Sequence, residues 1–120
     1  MEKQLRFPDG AKENDSGEVW NIYFNNINCT SENGCFVGGN TPTKVHDIYF
    51  NNVNLHLNKV SNHPGGVYDA RPRVQDPEIV SAKTYGIYVE AGTNIVLRNF
   101  DVVKMDSFPA ELYGGPKFGC

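Results

Sequence analysis

The side chains best suited to chemistry lie close together in one stretch, at Tyr68, Asp69, Arg71 and Arg73. An arginine can hold a carboxylate through two parallel hydrogen bonds, and a tyrosine ring can stack on a sugar. The same residues also suit a structural role, in which an arginine–aspartate pair clasps the segment against the rest of the protein. The sequence therefore offers this stretch as a candidate binding site, with the structural clasp as the alternative.

These four residues belong to a segment that has no regular hydrophobic pattern, NKVSNHPGGVYDARPRVQDPEIVSAKTYG (Asn58–Gly86). Its prolines and glycines break any helix or long strand. Loops longer than about 15 residues are uncommon in compact domains and are often functional or disordered. We predict a long loop over residues 58–85, with a short strand near Glu78–Ser81.

The acids, histidines and cysteines elsewhere form no recognisable catalytic group. Asp101 and Asp106 are expected at solvent-facing positions, and the scattered histidines lack a serine or cysteine partner for nucleophilic catalysis. The chain has three cysteines, which are too few for a disulfide scaffold and are not spaced for zinc. Cys29 and Cys35 either pair across a bend or remain two buried thiols. We predict no catalytic residue, no metal and no cofactor in this chain.

The strands that must position the candidate site belong to a repeated sequence. NIYFNNIN (Asn21–Asn28) recurs as DIYFNNVN (Asp47–Asn54) and, less closely, as NIVLRNFD (Asn94–Asp101). A second motif, GCFVGG (Gly34–Gly39), matches GIYVEA (Gly86–Ala91). Isoleucine, phenylalanine, valine and tyrosine at period two indicate strands, and no window carries a helical period. Each unit is therefore a short strand, a bend and a second short strand.

One column of the repeat holds Asn26, Asn52 and Asn99. Asparagine tolerates the left-handed backbone conformation better than most residues, and stacked asparagines can hydrogen-bond in a ladder. The alternative is three ordinary surface turns, in which asparagine is also common. Because the flanking apolar columns repeat as well, we favour a structural ladder.

Strands that repeat at about two dozen residues, each pairing with its equivalent, are typical of a parallel β-solenoid. A β-sandwich is the competitor, but hairpin turns would not explain why whole units recur. We predict an all-β chain that forms a right-handed parallel β-helix of three to four coils. Residues 1–18 would be a partial first coil or leader, residues 19–105 the coils with the loop at 58–85, and residues 106–120 an irregular tail or truncated coil.

Composition argues against several classes of function. The chain has 11 Lys and Arg against 14 Asp and Glu, a formal charge of −3, and no basic stripe for nucleic acid. No apolar run approaches the roughly 18 residues of a membrane span, and MEKQLRFPDG lacks the apolar region of a signal peptide. We expect neither nucleic acid nor a membrane as partner.

The stretches NIYFNNINCTSENGCFVGG, DIYFNNVNL and GGVYDARP together resemble the C-terminal coils of polygalacturonase-like proteins. Those are glycoside hydrolases (family 28 type) of the pectin-lyase-like, right-handed parallel β-helix superfamily. The resemblance covers Val19–Met105. It implies a secreted or extracellular protein of plant-cell-wall carbohydrate metabolism that hydrolyses α-1,4 bonds between galacturonates with inversion. Inversion requires an acid and a base about 6.5–9.5 Å apart.

The catalytic elements of that family are missing from this sequence. It contains no NTD, no adjacent DD, no GHG and no R-x-K triplet. We therefore expect a C-terminal portion of such a hydrolase that is inactive alone. The alternatives are a non-catalytic module that binds acidic polysaccharide through Tyr68, Arg71 and Arg73, or a purely structural solenoid. Because a solenoid end exposes its core and strand edges, we also expect association with upstream β-helix coils or self-association.

Overall fold

The computed structural model describes residues 17–38, 43–69 and 79–119, and within those ranges the chain is all-β without a helix. This confirms the predicted fold class at that level. Residues 1–16, most of the predicted leader, lie outside the described residues. The strands are β1 (Val19–Ser31), β2 (Cys35–Val37), β3 (Val45–Leu57), β4 (Val67–Asp69), β5 (Ile79–Ser81), β6 (Thr84–Val89), β7 (Thr93–Lys104) and β8 (Tyr113–Phe118).

The three copies of the repeat form one parallel sheet in the order β1-β3-β7. Equivalent residues of successive copies are direct partners across the sheet, so the columns of the sequence are the register of the strands. Their apolar side chains point into the protein, where those of the central strand β3 are buried. The inward columns are Ile22, Ile48 and Ile95, then Phe24, Phe50 and Leu97, then Ile27, Val53 and Phe100.

Each long strand bends twice because two of its residues adopt a left-handed backbone conformation. In β3 these are Asp47 and Asn52, with φ of 56° and 57°. At each such residue the alternation of inward and outward side chains shifts by one place, as at a β-bulge. Asparagine and aspartate accept this conformation at low cost. The other left-handed residues lie in the same two columns, at Asn21, Asn26, Asn94 and Asn99.

A second parallel sheet, in the order β2-β6-β8, faces the first across a shared core. Val37 of β2 and Ile87 of β6 pack there with the inward residues of β3. The strand β8 pairs with β6 from Thr84 onward. The segment 106–120, which the sequence predicted as an irregular tail or truncated coil, is therefore not irregular throughout.

Phe108 closes one end of the core. Only 1% of its surface is exposed, and it packs with Leu55 and Leu57 of β3. The turn that carries it is held by the Lys104 Nζ atom, which donates to the Phe108 carbonyl oxygen at 3.0 Å. This turn connects β7 to β8, so the chain crosses from the first sheet to the second over a packed aromatic ring.

The predicted long loop contains a short antiparallel hairpin, β4-β5, whose second strand matches the predicted strand near Glu78–Ser81. The start of the loop is anchored by Glu32. Its carboxylate accepts hydrogen bonds from the Ser61 hydroxyl at 2.7 Å and from the backbone N–H groups of Ser61 and Val60. Led by the Ser61 hydroxyl, these bonds lower the pKa of Glu32 to about 2.

Candidate functional site

The solvent-facing side of the β1-β3-β7 sheet presents three neighbouring columns of polar and aromatic side chains, which we call the outer face. The left-handed residues turn these columns outward, and the parallel register aligns them across the three strands. The outer face consists of Tyr23, Tyr49 and Val96, then Asn25, Asn51 and Arg98, then Asn28, Asn54 and Asp101.

Asparagine side chains on this sheet are fixed by hydrogen bonds to the equivalent residue of the next strand. Asn99 donates to Asn52 at 2.7 Å, and Asn52 donates to Asn26 at 3.1 Å, so the three residues predicted as a ladder lie in one bonded column. Asn51 and Asn54 make equivalent bonds, at 2.8 and 3.1 Å, to their partners on β1. In every column the donor lies on the later strand and the acceptor on the earlier one.

The cation of the outer face is Arg98, which lies over an aromatic stack. The rings of Tyr23 and Tyr49 stack with centroids 4.6 Å apart, and the Arg98 guanidinium carbon lies 5.8 Å from the Tyr49 centroid. Within the described residues Arg98 makes no ion pair or hydrogen bond through its guanidinium. A cation–π contact of this kind holds the group in place and leaves its N–H donors directed to solvent. The arrangement is suited to binding a carboxylate.

A separate cluster at the start of the sheet joins β1, β3 and β7. The two ring nitrogens of His46 lie 2.7 Å from an Asp47 oxygen and 2.8 Å from a Glu18 oxygen, and Asn94 donates to Asp47 at 2.6 Å. The Asp47 and Glu18 carboxylates raise the pKa of His46. The Asn94 amide and then His46 lower the pKa of Asp47. The Trp20 ring lies parallel to the imidazole with centroids 6.0 Å apart, and the cluster links strands and contains no nucleophile.

The carboxylates of the sheet are not placed for inverting hydrolysis. Asp47 is bonded to Asn94, which lies seven residues before Asp101 on β7. At about 3.3 Å per residue the two carboxylates are roughly 20 Å apart, whereas inversion requires about 6.5–9.5 Å. A closer pair, Glu18 and Asp47, is bonded to the two nitrogens of His46, so the imidazole occupies the space that the attacking water of an inverting hydrolase would need.

Of the four loop residues predicted to bind a ligand, the structure describes Tyr68 and Asp69. Tyr68 is 4% exposed and packs between Phe36 and Tyr88, with ring centroids 5.3 and 5.2 Å away. Its hydroxyl donates to the Tyr85 carbonyl oxygen and accepts from the Tyr85 N–H at 3.0 Å. A ring buried in this way cannot stack on a sugar, so Tyr68 has a packing role. Asp69 ends β4 and is exposed, whereas Arg71 and Arg73 lie outside the described residues.

The two described cysteines are free thiols. Both line the apolar interior near β1, and burial followed by the neighbouring Cys29 raises the pKa of Cys35. Across residues 17–38, 43–69 and 79–119, no group of three or more His, Cys, Asp or Glu side chains is arranged to hold a metal ion. No helix in those ranges is long and apolar enough to cross a membrane.

No protein-family model, curated protein or solved structure matches the chain. The interpretation of the site therefore rests on its geometry. Sequence reasoning missed Arg98 and the stack of Tyr23 and Tyr49. Their signal was present in the repeat, because each residue occupies an outward position between two inward apolar columns.

Proposed function

We propose that this chain is part of a polygalacturonase-like protein with a right-handed parallel β-helix fold. In this proposal β1 and β2 form one coil, β3 and β6 the next, and β7 and β8 the third. The parallel pairing of both sheets and the shared core between them support it. The right hand follows from the general rule for crossover connections between parallel strands.

We further propose that the described coils bind an acidic polysaccharide of the pectic type without cleaving it. The observation that carries this proposal is the Arg98 guanidinium, held over Tyr49 and otherwise unpaired within the described residues. A uronate carboxylate would bind its N–H donors, and the exposed amide of Asn54 would bind a sugar hydroxyl. The amide oxygen of the neighbouring Asn51 is buried and is not available to a sugar. The parallel register repeats these groups from strand to strand along the sheet, which suits an extended chain of sugars.

Hydrolysis is not part of the proposal for these coils, because the Glu18 and Asp47 carboxylates are both bonded to His46, which fills the space between them, and Asp101 lies far from both. In a longer polygalacturonase-like protein, the acid and base would come from other coils. The purified chain is expected to release no reducing ends from polygalacturonate. Clear turnover by the purified chain would overturn the non-cleaving assignment.

Binding is tested by affinity electrophoresis in native gels that contain polygalacturonate. The wild-type chain is expected to be retarded, Arg98→Gln to lose at least about tenfold in affinity, and Arg98→Lys to be intermediate because lysine lacks the planar fork. Lys83→Gln is the matched control, since it removes the same charge from an exposed residue away from the sheet. Fully methyl-esterified pectin, which has the same backbone without carboxylates, should not retard the wild-type chain. Equal retardation of wild type and Arg98→Gln would refute the proposal.

A further inference from the structure

Within the described ranges, the strand β1 lies at one end of the first sheet and is paired along only one edge. Among the described residues it hydrogen-bonds only to β3, so the N–H and C=O groups of its other edge are open. Its inward residues Ile22 and Phe24 are only partly buried, whereas their β3 equivalents Ile48 and Phe50 are 3% and 5% exposed. An apolar cavity of about 290 Å³ lies between β1, β2 and β3. The described residues thus leave the interior incompletely covered at this end.

The strand β7 lies at the opposite end of the same sheet and has the complementary defect. Within the described chain it pairs only with β3 along the sheet, and its inward residues Ile95, Leu97 and Phe100 are partly buried. These residues belong to the same columns as the partly buried residues of β1. If a β1 strand were placed beyond β7 in the existing register, Ile22 would lie against Ile95, and the other inward columns would also pair apolar residues.

The polar columns give this placement a direction. Within the described residues Asn26 accepts from Asn52 but donates to nothing, while Asn99 donates to Asn52 but accepts from nothing. The β1 end therefore presents amide donors, and the β7 end presents acceptors. In a second polar column, the Asn28 amide on β1, which donates to no described residue, corresponds to the carboxylate of Asp101 on β7.

We propose that the β1 edge of one copy binds the β7 edge of a second copy, as a parallel strand in the register already used inside the chain. Asn26 would then donate to Asn99 of the neighbouring copy, and Asn28 would donate to Asp101 of that copy. A symmetric contact between two β1 edges would bring donors against donors and is disfavoured. The contact is head-to-tail, so it does not close and produces linear assemblies. It rests on the described strand pairing alone and does not require polysaccharide binding; in a longer protein with a coil before β1, that coil would take the place of the second copy.

The test is sedimentation velocity of the full chain over a range of concentrations, with negative-stain microscopy. The wild-type chain is expected to form rods that lengthen with concentration. Asn28→Asp should weaken association by about tenfold or more, because it places two carboxylates against each other at the contact. An aspartate at this position still accepts the bond from Asn54 within its own chain, so the fold is retained.

Two further variants separate the proposed contact from a loss of folding. Asn28→Asp combined with Asp101→Asn reverses donor and acceptor and should restore association. Lys83→Gln makes the same change of net charge elsewhere and should assemble like wild type. A chain that stays monomeric at every concentration, with its β1 edge covered by its own residues 1–16 or left open, would overturn the proposal. A closed dimer, or an Asn28→Asp variant that assembles normally, would overturn it equally.

Discussion

Replacing Asn52 with alanine tests whether the bent asparagine columns stabilise the fold. Asn52 lies in the central strand with φ of 57° and is the middle member of its column, with one bond to each neighbour. Alanine in the left-handed conformation costs roughly 1–2 kcal/mol. Loss of two exposed hydrogen bonds adds about 0.5 kcal/mol each, the low end of the usual range. We expect the free energy of unfolding to fall by about 2–3 kcal/mol.

Two variants separate these contributions. Asn52→Gly loses the same hydrogen bonds but accepts the left-handed backbone, so it should cost about 1.5–2 kcal/mol, including the greater entropy of glycine in the unfolded chain. Asn51→Ala removes one inter-strand amide bond at a residue without positive φ and should cost about 0.5–1 kcal/mol.

The assay is urea unfolding followed by circular dichroism at low protein concentration. With a slope of about 1.5 kcal/mol per molar, Asn52→Ala should lower the midpoint by about 1.5 M. If Asn52→Ala costs no more than Asn51→Ala, or if Asn52→Gly is as damaging as Asn52→Ala, the left-handed column does not stabilise the fold as reasoned here.

Two more predictions concern the His46 cluster at the start of the first sheet and the close contact between Gly34 and Tyr85. The carboxylates of Asp47 and Glu18 raise the pKa of His46, so its NMR titration midpoint should exceed about 6.5 and should fall in Glu18→Gln. A His46 pKa that is higher in the folded than in the unfolded chain stabilises the fold at acidic pH. This contribution is lost as the pH rises through the pKa of His46 in the folded chain. Equal titration midpoints in the wild type and in Glu18→Gln would contradict the assignment. Gly34→Ala should destabilise the chain by about 1–3 kcal/mol, because a Cβ there overlaps the Tyr85 carbonyl oxygen, and thermal melting at wild-type temperature would contradict this.

The repeat allowed the first sheet to be predicted from the sequence. Identical residue types at Ile22, Ile48 and Ile95 indicate one column, and a parallel sheet is the arrangement that brings equivalent positions of successive copies together. The asparagines at the bends were predictable as well, because few residue types adopt the left-handed conformation at low cost. Structural features that are set by a local motif or by the repeat were therefore predictable.

Features imposed by distant contacts were not predictable from sequence. β8 contains Pro116 and two glycines, which indicate a turn, but an edge strand paired on one side with β6 tolerates proline. Tyr68 sits in a loop rich in proline and glycine and resembled a recognition residue, yet the hairpin folds its ring onto Phe36 of a different strand. Arg98 became a candidate only when the register placed it beside Tyr49.

The register of the first sheet has a consequence for how such a chain can change in length. Bonded asparagines are 26 residues apart between β1 and β3 but 47 apart between β3 and β7, and the strand alignment is the same. The length of the connection between two strands therefore does not affect their alignment in the first sheet. Each unit carries its own bend and its own asparagine, which bonds to the equivalent asparagine of the next unit. The connections between units can therefore differ in length without altering the register of this sheet, and a whole unit can be duplicated with the same types of contact. A new loop grafted between β3 and β6 should keep Tyr68, whose buried ring packs on Phe36 and Tyr88.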